Sequence, residues 1–598
     1  MIKAQLKNLI KTIHLVKEAG FSLLVFSIAI SLFQGILPIF SMLLVQKMLN
    51  IITTDIKNFH TLMIAFISYI ALTLLTIIIG EVDSYIDTKL QILLHYKMNH
   101  LVMQKTVKLT LAEFETPEIY DDITRIQNQI SYKPFQIYKS IISVLSSLVS
   151  LISSFVILLN WKISIFPLLL ILPIVSIYIY LKIGKNEFEI LYKRSSDERA
   201  NWYISHLLTH DFAVKELRLG TLESYFLKKY DKNNQLFINQ ENSINRSKMK
   251  YGIVLGVLEI AIQSIIMFLA VREAFLGILL VGNVTTFIRS LSTMQTSTQN
   301  IVNNIYSFYN GSLYMELLYD FTHDELVHNP IIESTVDTIQ SVEFERVSFS
   351  YNGKDNVIND ISFSIKAGER LAIVCENGSG KSTIFKLACG LYDNYEGNIY
   401  IYINGINIRS IQKKSYYKRI SALFQDFLKY ELTLRENVGL GELSKLYSDE
   451  DLISALKYTG VDSIFYFNQE KLNQIDLEQQ LGNWFEDGRQ LSGGQWQKIA
   501  LSRVYLKEAD CYLLDEPSSA LDPESETKIF KTFFELSQNK IGIFITHKPS
   551  ITQSVNKILY LDNGCISETG SFADLNIKGM KFKNLLDKEI GATYDTSN

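Results

Sequence analysis

Apolar residues run almost unbroken through 21–46, 61–80, 138–160, 163–184 and 252–272. Each run is close to the roughly 20 residues an α-helix needs to cross hydrocarbon, so five membrane spans are predicted. A sixth is predicted over 284–308, where hydropathy alone would miss it, because Thr285, Thr286, Ser290, Ser292, Thr293 and Gln295 break up the apolar positions. A polar helix is tolerated in a bilayer when it faces protein or an aqueous path, which makes this span the candidate lining of a pathway. Read as a cytoplasmic amphipathic helix instead, it would leave an odd number of crossings and separate the N-terminus from the C-terminal half.

Charge supports the even count. Lys3, Lys7, Lys11 and Lys17 precede the first run, and the segment 185–250 carries Lys193, Arg194, Arg199, Lys228, Lys229 and Lys232 among others, whereas the turn between the third and fourth runs holds only Lys162. Positively charged segments stay on the cytoplasmic side. The N-terminus, both long loops and the C-terminal half are therefore expected in the cytoplasm, below a multi-pass domain in the cell membrane. The first run is too long for a signal-peptide core and lacks a small-residue cleavage site, so it is read as a retained helix. The loops 81–137 and 185–250 place apolar residues at helical intervals among charges, which predicts span helices continuing far past the membrane.

Beyond a polar connector the pattern changes to short apolar strands and amphipathic helices. The expected division is a transmembrane domain over 1–321, a linker over 322–341 containing Asn329 and Pro330, a C-terminal domain over 342–590 and a tail over 591–598. The fold class is thus an α-helical six-span domain followed by an α/β P-loop domain. A net charge of −4 gives no basic field, which sets nucleic acid aside. The four cysteines, at 375, 389, 511 and 565, all lie in the C-terminal half without the spacing of a metal or disulfide framework. His206 and His210 are spaced for one helix face, but with no third ligand in view they read as surface or docking residues rather than a metal site.

The chemistry sits in two strand ends. Leu371 to Val374 reads as a buried strand, and Lys381, Ile384, Phe385 and Leu387 have helical spacing, so Glu376-Asn377-Gly378-Ser379-Gly380-Lys381-Ser382-Thr383 is a strand-to-helix turn. Backbone N–H groups at a helix N-terminus attract phosphate, and glycine lets them approach it closely. Lys381 is expected to reach the terminal phosphates of ATP and Ser382 to ligate Mg²⁺. The loop lacks its usual opening glycine: Cys375 stands there and must take an ordinary backbone or accept strain. It reads as a small buried residue replacing glycine, with a redox role as the alternative. Cys511 to Leu514 is a second apolar strand ending in Asp515 and Glu516, which places Asp515 beside Mg²⁺ and Glu516 against an attacking water as general base.

With Leu491-Ser492-Gly493-Gly494-Gln495 downstream of the phosphate loop, the chain resembles the ATP-binding cassette transporters with fused membrane and ATPase halves. That resemblance implies that Tyr351 stacks on adenine, that Gln425 joins the nucleotide and Mg²⁺ site to the membrane domain, and that His547 contacts the γ-phosphate. It implies also that Ser492, Gly493, Gly494 and Gln495 contact a nucleotide held by a second copy, so a homodimer is expected. Short helices at the loop tips, near Thr116 to Asp121 and His210 to Glu216, would dock on the cassettes.

Closer resemblance narrows the cargo. Tyr132-Lys-Pro-Phe-Gln136, Trp202-Tyr-Ile204, Leu208-Thr-His-Asp-Phe212, Leu423-Phe-Gln-Asp-Phe427, Lys429-Tyr-Glu-Leu-Thr433, Leu481-Gly-Asn-Trp-Phe485 and Trp496 resemble the lantibiotic exporters. The resemblance implies export of a ribosomally made, lanthionine-bearing precursor peptide with its leader attached, and a modification complex as a further partner to be considered. With few residues before the first span and no cysteine before Cys375, no leader peptidase is expected in the chain. Export of drugs or lipids, self-immunity transport of mature peptide, and a non-transporting regulator remain the alternatives.

Overall fold

The computed structural model describes residues 2–54, 58–323, 334–376, 378–402, 406–466 and 475–595. It divides into two compact units, Met1–Leu109 with Glu113–Glu325, and Thr110–Ala112 with Leu326–Asn598.

The first unit is helical. Six long helices, α1 (Ile2–Thr53), α2 (Phe59–Thr106), α5 (Lys133–Trp161), α6 (Phe166–Thr209), α8 (Glu223–Phe275) and α9 (Val281–His323), alternate with the short α3 (Leu111–Phe114), α4 (Pro117–Gln129) and α7 (Asp211–Leu219). Among the described residues, α2, α5, α8 and α1 from Gly20 onward are long and apolar enough to cross a membrane. The helices α6 and α9, at 44 and 43 residues, are long enough to do so as well. At about 1.5 Å per residue, α2, α6 and α8 outrun a bilayer about twofold. Charged helix formers such as Lys228 and Lys229 carry the backbone ladder on into water. Gly20, with an extended backbone (φ 178°), splits α1 into an N-terminal helix and the span.

Without a hydrophobic drive between helices in lipid, small residues and buried polar bonds hold spans together. A Cβ on Gly35 of α1 would stand 2.7 Å from the Ser146 carbonyl of α5, so only glycine permits this approach. Beside it, the Ser150 hydroxyl donates to the Gly35 carbonyl at 2.8 Å and Ser31 to the Ile142 carbonyl at 2.9 Å. Helix α9 is clamped to α1 at both ends. Gln46 and Asn50 donate to Asn283 at 2.6 and 3.0 Å, and Lys11 pairs with Asp320 at 2.6 Å. On α9, Leu291, Met294, Ile301 and Val302 are buried, while Ser292, Thr296, Gln299 and Asn303 form an exposed polar stripe at i, i+4, i+7 and i+11. The segment expected to hold the first loop tip, Thr116 to Asp121, caps and begins α4, just after α3, and the second lies at the start of α7.

The second unit holds two sheets. Strands β1 (Ser341–Phe349), β2 (Ile358–Lys366), β4 (Glu396–Tyr402) and β5 (Ile406–Asn407) form an antiparallel sheet in the order β2-β1-β4-β5. Strands β3 (Arg370–Cys375), β6 (Ile420–Leu423), β7 (Cys511–Asp515), β8 (Ile541–Thr546), β9 (Lys557–Asp562) and β10 (Cys565–Gly570) form the second, ordered β10-β9-β3-β8-β7-β6 and parallel except for β10. Side chains alternate faces along a strand, which sorts the core. Leu371, Ile373, Cys511, Leu513, Ile543 and Ile545 pack toward the antiparallel sheet and α10 (Lys381–Ala388). Ala372, Val374, Tyr512, Leu514 and Phe544 pack on the opposite side against α14 (Gly493–Leu506), α15 (Pro523–Leu536) and α17 (Lys581–Asp595), with α16 (Phe572–Lys578) beside them. Each fully buried Leu, Ile or Phe contributes about 1.5–3 kcal/mol. The helices α12 (Leu434–Gly439) and α13 (Asp449–Thr459) join α14 around Trp496 in a separate cluster, and α11 (Lys413–Arg419) leads into β6.

Candidate active site

In a parallel sheet with helices on its faces, ligands collect beyond the carboxyl ends of the strands, and four adjacent strands deliver the candidate residues there. Strand β3 ends at Cys375 and feeds the phosphate loop into α10, β6 leads to Gln425, β7 ends on Asp515 with Glu516 next, and β8 leads to His547.

Cys375 takes an ordinary strand backbone, pairing with Leu561 of β9, and is fully buried. Burial pushes its thiol pKa up, which fits a packing residue and not a thiolate. The turn that follows is built on Gly378 and Gly380, at φ 82° and 95°. A Cβ on Gly380 would also stand 2.6 Å from Ile358 Cδ1, so this position has neither the conformation nor the space for a side chain. Ser379, buried, donates to the Glu376 carbonyl at 3.0 Å and braces the loop. Asn377 lies outside the described residues. Lys381 opens α10 and is 7% exposed, and Thr383 is buried two residues on.

The Lys381 ammonium bonds both the Glu516 carboxylate and the His547 ring. His547 Nε2 lies 2.7 Å from Glu516 Oε1, and the Gln425 amide donates to Glu516 Oε2 at 3.0 Å. His547 Nδ1 donates to the Cys375 carbonyl at 2.7 Å, which fixes the ring and turns Nε2 toward Lys381 and Glu516. Glu516 itself has a left-handed backbone (φ 48°), a conformation that costs a non-glycine residue about 1–3 kcal/mol. It is held there by its N–H bond to the Ile545 carbonyl at 3.1 Å and by the Gln497 amide, which donates to the Glu516 carbonyl at 3.2 Å. Gln497 also donates to Ser519 Oγ and accepts from the Ala520 N–H. Sequence reasoning missed Gln497. Its one signal was a polar residue on an otherwise buried face of the signature helix, two positions after Gln495.

Asp515 is 2% exposed, and its Oδ1 has no hydrogen-bond partner among the described residues. Burial raises its pKa to about 6, against the lowering effect of a hydrogen bond with Ser382. A buried orphan carboxylate oxygen next to a hydroxyl is a hard-oxygen donor set of the kind Mg²⁺ prefers, so the residues present fit that ion.

Tyr351 follows β1, is 46% exposed, and bonds Thr383 Oγ1 through its hydroxyl at 3.1 Å, which sets its ring beside α10. The signature residues are placed differently. Ser492 caps α14 in a reciprocal box with Gln495, and among the described residues neither bonds the phosphate loop. Gly494 is required by packing, since a Cβ there would stand 2.6 Å from the Ala520 carbonyl, whereas a Cβ on Gly493 would meet nothing within 4 Å. Asp522, from the following loop, caps α15.

The ABC transporter family model matches residues 358–519. The subtilin transport ATP-binding protein SpaT of Bacillus subtilis is 42% identical over 95% of this chain and 92% of its own length. The nisin transport ATP-binding protein NisT of Lactococcus lactis is 38% identical over 95% and 93%. A solved bacterial Atm1-family ABC exporter with ATP bound superposes with a TM-score of 0.79 at 20% identity, covering 95% of this chain and 98% of that one. Taken with the phosphate loop, the paired acids after β7 and the capped signature helix, these matches establish that the chain belongs to the ABC transporters, as a membrane protein with fused membrane and ATPase halves that binds ATP and hydrolyses it to drive transport.

Proposed function

We propose that the chain exports a ribosomally made, lanthionine-bearing precursor peptide across the cytoplasmic membrane, working as a homodimer with both ATPase domains in the cytoplasm. Residues 1–321 would form the translocation domain and 342–590 the ATPase, joined by 322–341. The cargo reading draws its support from similarity to subtilin and nisin transport proteins along nearly the whole chain. The dimer rests on each chain carrying one phosphate loop and one signature, with Gly493 left open for a nucleotide of the second copy. Two-fold pairing then gives two composite sites.

One observation carries the hydrolytic mechanism: Lys381, Gln425 and His547 converge on the Glu516 carboxylate. ATP entering the loop offers Lys381 a phosphate with more charge than one carboxylate, so the ammonium exchanges Glu516 for phosphate oxygens. Glu516, still held by Gln425, is then free to accept the proton of an attacking water. His547, anchored on the Cys375 carbonyl, is placed to hold the γ-phosphate and the water. Mg²⁺ held by Asp515, Ser382 and the Gln425 side chain would neutralise phosphate charge. Closure of two cassettes around two nucleotides biases the membrane helices from inward- to outward-facing. The test is the ATPase rate of the purified chain in lipid vesicles, with and without a leader-bearing lanthipeptide precursor encoded beside it. Stimulation by the precursor and not by its leader-free form is expected. Equal stimulation by lipids or dyes would overturn the peptide reading.

A further inference from the structure

Within the six spans read from the sequence there is a single carboxylate, Glu259. Several acids just outside the spans are neutralised within the fold: Glu273 accepts from Trp161 Nε1 at 2.7 Å and Lys162 Nζ at 2.8 Å, Glu187 pairs with Lys248 at 3.0 Å, and Asp83 and Asp87 share Lys139. Glu259 pairs with no cation among the described residues. Its one bond is accepted from the Gln295 amide of α9 at 3.2 Å, and Gln295 in turn accepts from Gln263 of α8 at 3.2 Å. Glu259 and Gln263 are one turn apart on α8, at the edge of its seam with α9. Gln295 borders the exposed polar stripe Ser292, Thr296, Gln299 and Asn303. The carboxylate lies seven residues into the 252–272 span, about 10 Å below its cytoplasmic end. An ionisable group at such depth is costly without a partner or water and marks a transport path.

We propose that Glu259, oriented by Gln295 and Gln263, is a cation-recognition subsite of the translocation pathway that takes a lysine, arginine or amino-terminal group of the transported peptide. This rests on the peptide-export reading above and adds to it a charge requirement on the cargo. The geometry favours an ammonium or guanidinium over a metal ion. Gln295 donates its N–H to Glu259 Oε2, which leaves Oε1 to accept from a donor, and the six spans hold no second carboxylate to complete a metal site. In a two-fold pair each copy supplies one such carboxylate.

The test uses the full chain in phosphatidylcholine nanodiscs without nucleotide. The probe is a fluorescent 20-residue peptide bearing four lysines, compared with the same peptide acetylated at every amine. Wild type should bind the cationic peptide at least tenfold more tightly. Glu259→Gln, which keeps the shape and the Gln295 contact, should bring the ratio near one with the thermal midpoint unchanged, and Glu259→Asp should restore a preference. Equal binding of both peptides by wild type, or an undiminished preference in Glu259→Gln, would overturn the proposal. Because the probe is not a lanthipeptide, a wild type that prefers the cationic peptide yet is not stimulated by a leader-bearing precursor counts against the export reading and not against this subsite.

Discussion

Glu516→Gln is the substitution on which the account of hydrolysis can be tested most sharply. It replaces one carboxylate oxygen by an amide group at constant volume, so the packing around a side chain that is 11% exposed should survive. Two consequences follow from the contacts. Loss of a general base lowers the chemical step about 10²–10⁴-fold, or about 2.7–5.5 kcal/mol on the barrier. Lys381 also loses the anion that competes with phosphate. A hydrogen bond to a charged group contributes about 1.5–3 kcal/mol, so freeing Lys381 of it should tighten ATP binding by about 10- to 150-fold even though turnover stops. Phosphate release and equilibrium binding of labelled ATP, measured on the same vesicles, separate the two effects. Turnover within threefold of wild type would remove Glu516 as the base. Weakened ATP binding would refute the competition between Glu516 and phosphate for Lys381.

Four further outcomes are expected. Gly493→Ala should leave the thermal midpoint unchanged yet lower turnover at least tenfold, because the added Cβ meets nothing within 4 Å among the described residues, and full activity would remove the contact to a second nucleotide. Gln497→Leu should destabilise the ATPase half by about 1–3 kcal/mol, the cost of leaving buried polar groups unpaired, as read by chemical unfolding. With its folded pKa near 6 against about 3.9 unfolded, Asp515 contributes stability below pH 4 that is lost as pH rises through 6, about 3 kcal/mol in all. Asp515→Asn should therefore raise the thermal midpoint in chelator at pH 7.5, change it little at pH 4, and abolish any stabilisation by Mg²⁺. Maleimide should modify Cys565, which is exposed, and spare the buried Cys375, Cys389 and Cys511, with turnover unaffected. Inactivation that maps to Cys375 would contradict its packing role.

Much of this was legible because chemistry and periodicity coincide. The phosphate loop needs glycines between a strand and a helix, and Asp515 ends a strand buried along its whole length, with Glu516 directly after it. The long apolar runs announced spans, but not where helices end: α2, α6 and α8 continue through charged sequence because a helix in water needs only its own ladder. Hydropathy hid α9, whose exposed polar stripe emerges only once its buried apolar residues are separated onto the other face. Gln497, Glu259 and the Gly20 break carry no motif, since each acts through a partner distant in sequence or through one backbone angle.

The central claim, ATP-driven movement of a leader-bearing peptide, is tested most directly in inverted vesicles containing the purified chain. Labelled precursor, ATP and Mg²⁺ are added outside, and protease is applied after transport. The account predicts that precursor becomes protease-resistant with wild-type protein and ATP, and stays accessible without ATP or with Glu516→Gln. Equal protection with and without ATP, or with the variant as with wild type, would contradict it.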